Sequence, residues 1–206
     1  MERLSHVTKH LTTTAAAAAL APAVADITVS VTLPAAGSAT LDGRLLLLIS
    51  HDPEPLKGIG FMNALQSTMM AGVDVEGLAP GGAVTITSDD VAFPLKTLGD
   101  LPAGSYYVQA VLNKYETFNL STGHAVKLPP GDQGDGQSWK QAPGNLFCSP
   151  VAMEITPGCS IALSLDQVMP PIAPAEDTDY IKHVTIKSES ASRLPQNIVN
   201  VNSQNL

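Results

Sequence analysis

Basic residues are scarce in this chain. Eleven Lys and Arg stand against nineteen Asp and Glu, a formal net charge of −8. Without a basic run, the chain has nothing to attract polyphosphate or an anionic membrane, so neither nucleic acid nor membrane is an expected partner. Cysteine is nearly absent, at two residues. Two thiols cannot complete a four-ligand structural zinc site, no Cys/His spacing supplies the rest, and no cofactor is expected. No stretch approaches the roughly 18 apolar residues of a membrane span; Leu45–Ile49 is far too short. The α/β-hydrolase nucleophile elbow G-x-S-x-G is missing too. Its nearest approach, Gly136-Gln137-Ser138-Trp139-Lys140, lacks the second glycine. That small residue is needed for the strained strand-to-helix turn, so a triad of this type is excluded within the chain.

What is present begins with a leader. Arg3 and Lys9 form a positive start, Leu11 to Leu20 an apolar stretch, and Ala23-Val24-Ala25 an A-x-A site. This is the pattern of a secretory signal over residues 1–25, favoured over a plain Ala-rich leader. It implies a secreted or periplasmic location. Cleavage removes Glu2, Arg3 and Lys9, leaving nine basic against eighteen acidic residues and a net charge of −9. The remaining chain is long enough for one domain with a good core.

That chain reads as short strands punctuated by turns. Ile27, Val29, Val31 and Leu33 alternate along one face, as in a half-buried strand. Leu41-Asp42-Gly43 has turn chemistry, and Arg44–Ser50 is an apolar run expected to be buried on both faces. Ala79-Pro80-Gly81-Gly82 marks a turn before the β-prone Ala83–Thr87. Ser105–Leu112 is the clearest strand, continued by Asn113–Phe118. His124–Leu128, Val151–Ile155, Ser160–Leu165 and Tyr180–Ser188 complete the set. Helix signals are confined to one or two turns at Asn63–Met70. Sixteen Pro and sixteen Gly fall mostly between the apolar runs. The expected fold is all-β: an immunoglobulin-like antiparallel β-sandwich with long Gly/Pro loops and little helix. It spans residues 26–190 and is followed by a polar tail at 191–206. Tyr106 takes the place of the tyrosine that ties a sandwich strand back to upstream backbone. Val108, Ala110 and Leu112 then share the buried face.

Candidate sites follow from the few special residues. Tyr115, Phe118, Trp139 and Phe147 hold nearly half of the aromatics within a short span. They would form a sugar-stacking platform, or pack the long loop at 131–141 and dock a partner domain. Scarcity of aromatics, at 4% of the chain, favours packing or docking. Asp132 and Asp135 lie on a Gly-rich frame resembling a calcium loop, but the EF-hand spacing and its final Glu are missing, which favours a hydrophilic turn. His51-Asp52-Pro53-Glu54 reads as a solvated strand-end turn rather than a metal pair. A disulfide between Cys148 and Cys159 stays open. A hairpin turning at Pro157-Gly158 would hold them apart along its ladder, beyond the ~7 Å that a bridge tolerates. Asn119-Leu120-Ser121 is an N-glycosylation sequon, meaningful only in a glycosylating secretory route.

A resemblance is carried by Asp42–Leu45, Gly72–Val75, Phe93-Pro94-Leu95, Leu101–Ala110, Leu112–Phe118, Lys127–Pro130, Gly134–Trp139 and Pro143–Leu146. From about Leu41 to Ser192, the chain resembles the N-terminal sandwich domain of secreted esterase-like proteins of the enterochelin-esterase type. In that family the segment similar to Ile186–Glu189 leads into the α/β-hydrolase domain. Here a polar, Asn-rich stretch, Arg193–Leu206, follows instead. None of the family's catalytic motif is present, so no catalytic residue carries over. The resemblance implies a non-catalytic accessory or interaction domain, with a hydrolase domain as partner. The alternatives are a carbohydrate-binding module, with a glycan as partner, and a weak ester hydrolase with an unrecognised site. The oligomeric state is not readable from the chain.

Overall fold

The computed structural model describes residues 26–36, 39–57, 68–120, 122–131, 138–173 and 176–184. The expected leader (1–25), tail (191–206) and calcium candidates Asp132 and Asp135 lie outside them. Eleven strands make up the described chain: β1 Thr28–Thr32, β2 Leu41–Ser50, β3 Met69–Leu78, β4 Ala83–Thr87, β5 Ala92–Phe93, β6 Gly104–Asn119, β7 Ala125–Leu128, β8 Leu146–Phe147, β9 Val151–Ile155, β10 Ser160–Ser164 and β11 Gln167–Val168. The only helical element among the described residues is a 3₁₀ turn, Leu98–Asp100. The chain is therefore all-β, as expected.

Two sheets form. The small one runs β10-β1-β4, and the large one β11-β8-β6-β2-β3-β5. Strand β6 organises the large sheet. One edge pairs with β2 from Tyr107 to Tyr115. The other edge takes β9, then β8, then β7 in succession. Between β9 and β8 the gap is bridged by Cys148: its carbonyl accepts from Gln109 Nε2 (2.9 Å), and its Sγ accepts from the Ala110 amide (3.1 Å).

The inner faces of the two sheets meet in one core. Ile27, Val29, Val31, Ile86, Ile161 and Leu163 come from the small sheet; Leu45, Leu47, Ile49, Val108, Ala110 and Leu112 from the large one. Each fully buried Val, Leu or Ile contributes roughly 1.5–3 kcal/mol relative to exposure. The period-2 pattern of β1 places all of its apolar residues inward, as the alternation required. Tyr106 closes the corner: its hydroxyl donates to the Pro102 carbonyl (2.9 Å).

Several expectations are corrected. Leu41-Asp42-Gly43 is not a turn but the start of β2, with a bulge between Leu41 and Gly43. The Asp-Gly pair serves the bulge, where a Cβ on Gly43 would sit 2.2 Å from the Asn113 carbonyl oxygen. Met69 and Met70, read as the end of helical turns, open β3, with buried Thr68 just before it; residues 63–67 lie outside the described residues. No hairpin forms at Pro157-Gly158, because β9 pairs β6 in the large sheet while β10 pairs β1 in the small one. The β1–β10 pair is parallel, so the sandwich is not wholly antiparallel. Residues 180–184 form no strand: Tyr180 is 96% exposed, and no described strand pairs with the segment. Residues 185–188 of that expected strand lie outside the described residues, and the last described strand ends at Val168.

Candidate functional site

The large sheet is apolar on its outer face as well, which is unusual for a face with no second sheet against it. The pleat sends Leu46, Leu48 and Ser50 of β2 outward, opposite to Leu45, Leu47 and Ile49. The ladder continues each outward row across the sheet. One row runs Phe93–Met70–Leu48–Gln109, another Gly72–Leu46–Val111–Phe147. Leu46, Leu48 and Val111 form a second buried cluster, with Leu56, Met70, Trp139 and Phe147 packed over it. At the end of the first row, Phe93 is 62% exposed.

A buried polar residue anchors the Trp139 part of the cover. Asn145 is 1% exposed. Its Nδ2 donates to the Asn113 side chain (3.1 Å) and to the Trp139 carbonyl (2.9 Å). Its Oδ1 accepts from the Lys114 amide (2.9 Å), and its own carbonyl accepts from the Met169 amide (2.7 Å). Asn145 thereby pins the Trp139 segment to β6, and Trp139 lies over the apolar cluster. Farther along the face, Arg44 reaches across Gly72, donating to the Asp74 carboxylate (2.7 Å) and the Gly72 carbonyl (3.2 Å). A Cβ at Gly72 would meet Leu46 Cδ2 at 3.1 Å and Arg44 Nε at 3.2 Å. Gln109 lies 4% exposed in the first row; its Nε2 is engaged by Cys148, while its Oε1 has no partner among the described residues.

The four expected aromatics do not form one patch. Trp139 and Phe147 share the outer cluster. Tyr115 lies on the same face beyond it, half-buried, while the alternation of β6 places Phe118 on the opposite face of the β6–β7 hairpin. The residues that reading by aromatic clustering missed are Phe93 and Met70. Their signal was the outward parity of β3 and β5, readable only once the register was known.

The remaining candidates are dispersed. Cys148 is buried and Cys159 half-buried, both free thiols. Burial pushes the Cys148 thiol up, away from the thiolate form that a nucleophile needs. His51 is exposed; its ring stacks on Tyr106 at 4.6 Å, and its Nδ1 is 3.2 Å from the Ser105 carbonyl oxygen. Among the described residues no group of three His, Cys, Asp or Glu side chains could hold a metal. No described helix is long and apolar enough to cross a membrane.

Among the described residues, the outer face of the large sheet offers an apolar contact surface. No protein-family model, curated protein or solved structure matches the chain.

Proposed function

We propose that the chain is an exported, non-catalytic interaction domain that docks a partner domain through the outer face of its large sheet. The observation that carries this reading is the continuous apolar row from exposed Phe93 through Met70 to Leu48, beside the Trp139–Phe147 cover. Aromatics flanked by a polar rim are the usual anchors of such interfaces; here Arg44 and Asp74 supply polar neighbours on the same face. The similarity of Leu41–Ser192 to the N-terminal domain of enterochelin-esterase-type proteins supports an α/β-hydrolase domain as the partner. The carbohydrate-binding alternative draws on Tyr115, Trp139 and Phe147 being half-buried on one face.

Trp139 is the only tryptophan, so its emission reports the face directly. The purified chain is titrated with a catalytic domain of that hydrolase type and, separately, with soluble glucan, xylan and chitin oligosaccharides. Docking predicts a saturable blue shift with the hydrolase domain, abolished by Phe93→Asp, and no hydrolysis of p-nitrophenyl esters by the chain alone. Saturable binding of a glycan in its place would transfer the face to sugar recognition. Ester turnover that a single substitution abolishes would establish the hydrolase reading instead.

A further inference from the structure

The sequon Asn119-Leu120-Ser121 is not used by the docking face, and the fold places its acceptor where a large modification has room. Asn119 is the last residue of β6 and pairs with Ala125, the first residue of β7. The β6–β7 hairpin extends past the sandwich: β7 pairs with β6 alone. Asn119 is exposed, as are Thr117, Thr122, Gly123, His124 and Ala125 around it, and Leu120 is 36% exposed. The bend is fixed by Leu120 N–H donating to the His124 carbonyl (2.7 Å) and Gly123 N–H to the Leu120 carbonyl (3.0 Å), with Gly123 at φ +85°. Among the described residues neither apolar cluster includes a residue of the tip, so a glycan there displaces no described core contact.

The geometry points to Asn119 as an acceptor of one N-linked oligosaccharide. In the transfer, Asn119 Nδ2 attacks the anomeric carbon of a lipid-diphosphate-linked oligosaccharide. The N–C bond forms, the bond from that carbon to the diphosphate oxygen breaks, the lipid diphosphate leaves with the electron pair, and the amide releases one proton. The residue between Asn119 and Ser121 is Leu120, not proline, as the reaction requires. Asn119 lies eight residues along β6 from Val111, roughly 27 Å at ~3.4 Å per residue. A glycan there confines any partner to the Phe93–Trp139 end of the large sheet.

This assignment rests on the export reading, and the test separates the two. The full chain is expressed in a glycosylating secretory host twice, with residues 1–25 intact and with them replaced by a proven secretion signal. Intact mass is measured before and after peptide-N-glycosidase treatment, for the wild-type chain, Asn119→Gln and Ser121→Ala. The expected result is one oligosaccharide per chain, removed by the enzyme with conversion of Asn119 to Asp and absent from both variants. Modification only behind the replacement signal upholds Asn119 and sinks the native leader. Secreted chain without a glycan behind either signal, or a glycan that persists in Asn119→Gln, overturns the assignment.

Discussion

The two outer faces of the sandwich are built from opposite materials. On the small sheet, the outward rows read Ser160–Thr28–Thr87, Ala162–Ser30–Thr85 and Ser164–Thr32–Ala83. Every side chain there is short, uncharged and either a hydroxyl or a methyl. Such a face is solvated by water and needs no cover. On the large sheet, the outward rows carry Met70, Leu48, Gln109, Leu46, Val111 and Phe147. That face is covered by Trp139 and Leu56 and still ends on exposed Phe93. The contrast shows where a partner has something to gain: burying apolar area releases free energy, whereas burying the hydroxyl grid means replacing water one bond at a time.

The sharpest way to break this contrast is a matched pair of truncations. Leu48 is fully buried on the large sheet's outer face. Leu48→Ala is expected to destabilise by about 3 kcal/mol, the range for buried leucines whose surroundings collapse only in part. Ser30, at the centre of the small sheet's outer face, is half-exposed. Ser30→Ala is expected to stay within about 0.5 kcal/mol, as surface substitutions do. Urea denaturation of both variants decides the matter. Comparable losses would mean that the hydroxyl face is as structural as the apolar one.

Next in size is the cover itself. Asn145→Ala removes three side-chain hydrogen bonds and leaves the Lys114 amide and the Asn113 side chain without that partner. The expected cost is about 2 kcal/mol, since each buried polar group left unsatisfied costs roughly 1–3. Trp139 emission should shift to the red as its segment lifts from the cluster. Destabilisation without a shift would show that Asn145 braces β6 but does not hold the cover.

Parts of this contrast are legible in the sequence, and the parts that are not have physical reasons. The inner face of β1 is written in the alternation of Ile27, Val29, Val31 and Leu33, because one side meets water and the other the core. The burial of β2 on both faces is written in its unbroken apolar run. Strand β3 is hidden. Its outward positions are Met70, Gly72, Asp74 and Glu76, of which Met favours helix and Gly and Asp are poor in strands. Gly72 is there for the Leu46 and Arg44 side chains that cross it, a tertiary demand that no local pattern records. The aromatics misled for a related reason. Closeness in sequence grouped Phe118 with Tyr115, while the pleat sends them to opposite faces. Phe93 belongs to the face through a register that only pairing with Met70 defines.

A smaller effect tests the corner that joins the sheets' shared core to its edge. Tyr106→Phe deletes the bond to the Pro102 carbonyl and is expected to cost about 1 kcal/mol, the net value of one hydrogen bond. Burial raises the Tyr106 phenol above its ordinary value. With the folded value above the unfolded one, its stabilising contribution is whole below about pH 10 and fades as pH rises through the folded value. The wild-type chain should lose stability in that alkaline window and Tyr106→Phe should lose less, as read from Tm against pH. Identical profiles would remove Tyr106 from the account.

The smallest expected effect lies at the far, charged end of the outer face, where Asp42 in the β2 bulge accepts from the Gly77 amide (2.7 Å) and pairs with Lys127 of β7 (3.1 Å). The Gly77 amide, then Lys127, hold the Asp42 carboxyl below its ordinary value. A depressed folded value means that the contribution is present above the unfolded value, near pH 4, and is lost as pH falls through the folded one. Asp42→Asn should therefore flatten the acid limb of the stability curve while leaving neutral pH nearly unchanged, because exposed pairs of this kind are weak. Amide exchange at Gly77 gives the local readout: in the wild-type chain its protection should fall as Asp42 protonates, and in Asp42→Asn it should be low throughout. Protection that ignores both pH and substitution would mean that the bulge is held by the ladder alone, and that the polar end of the face has no anchor of its own to set against the Asn145 hub.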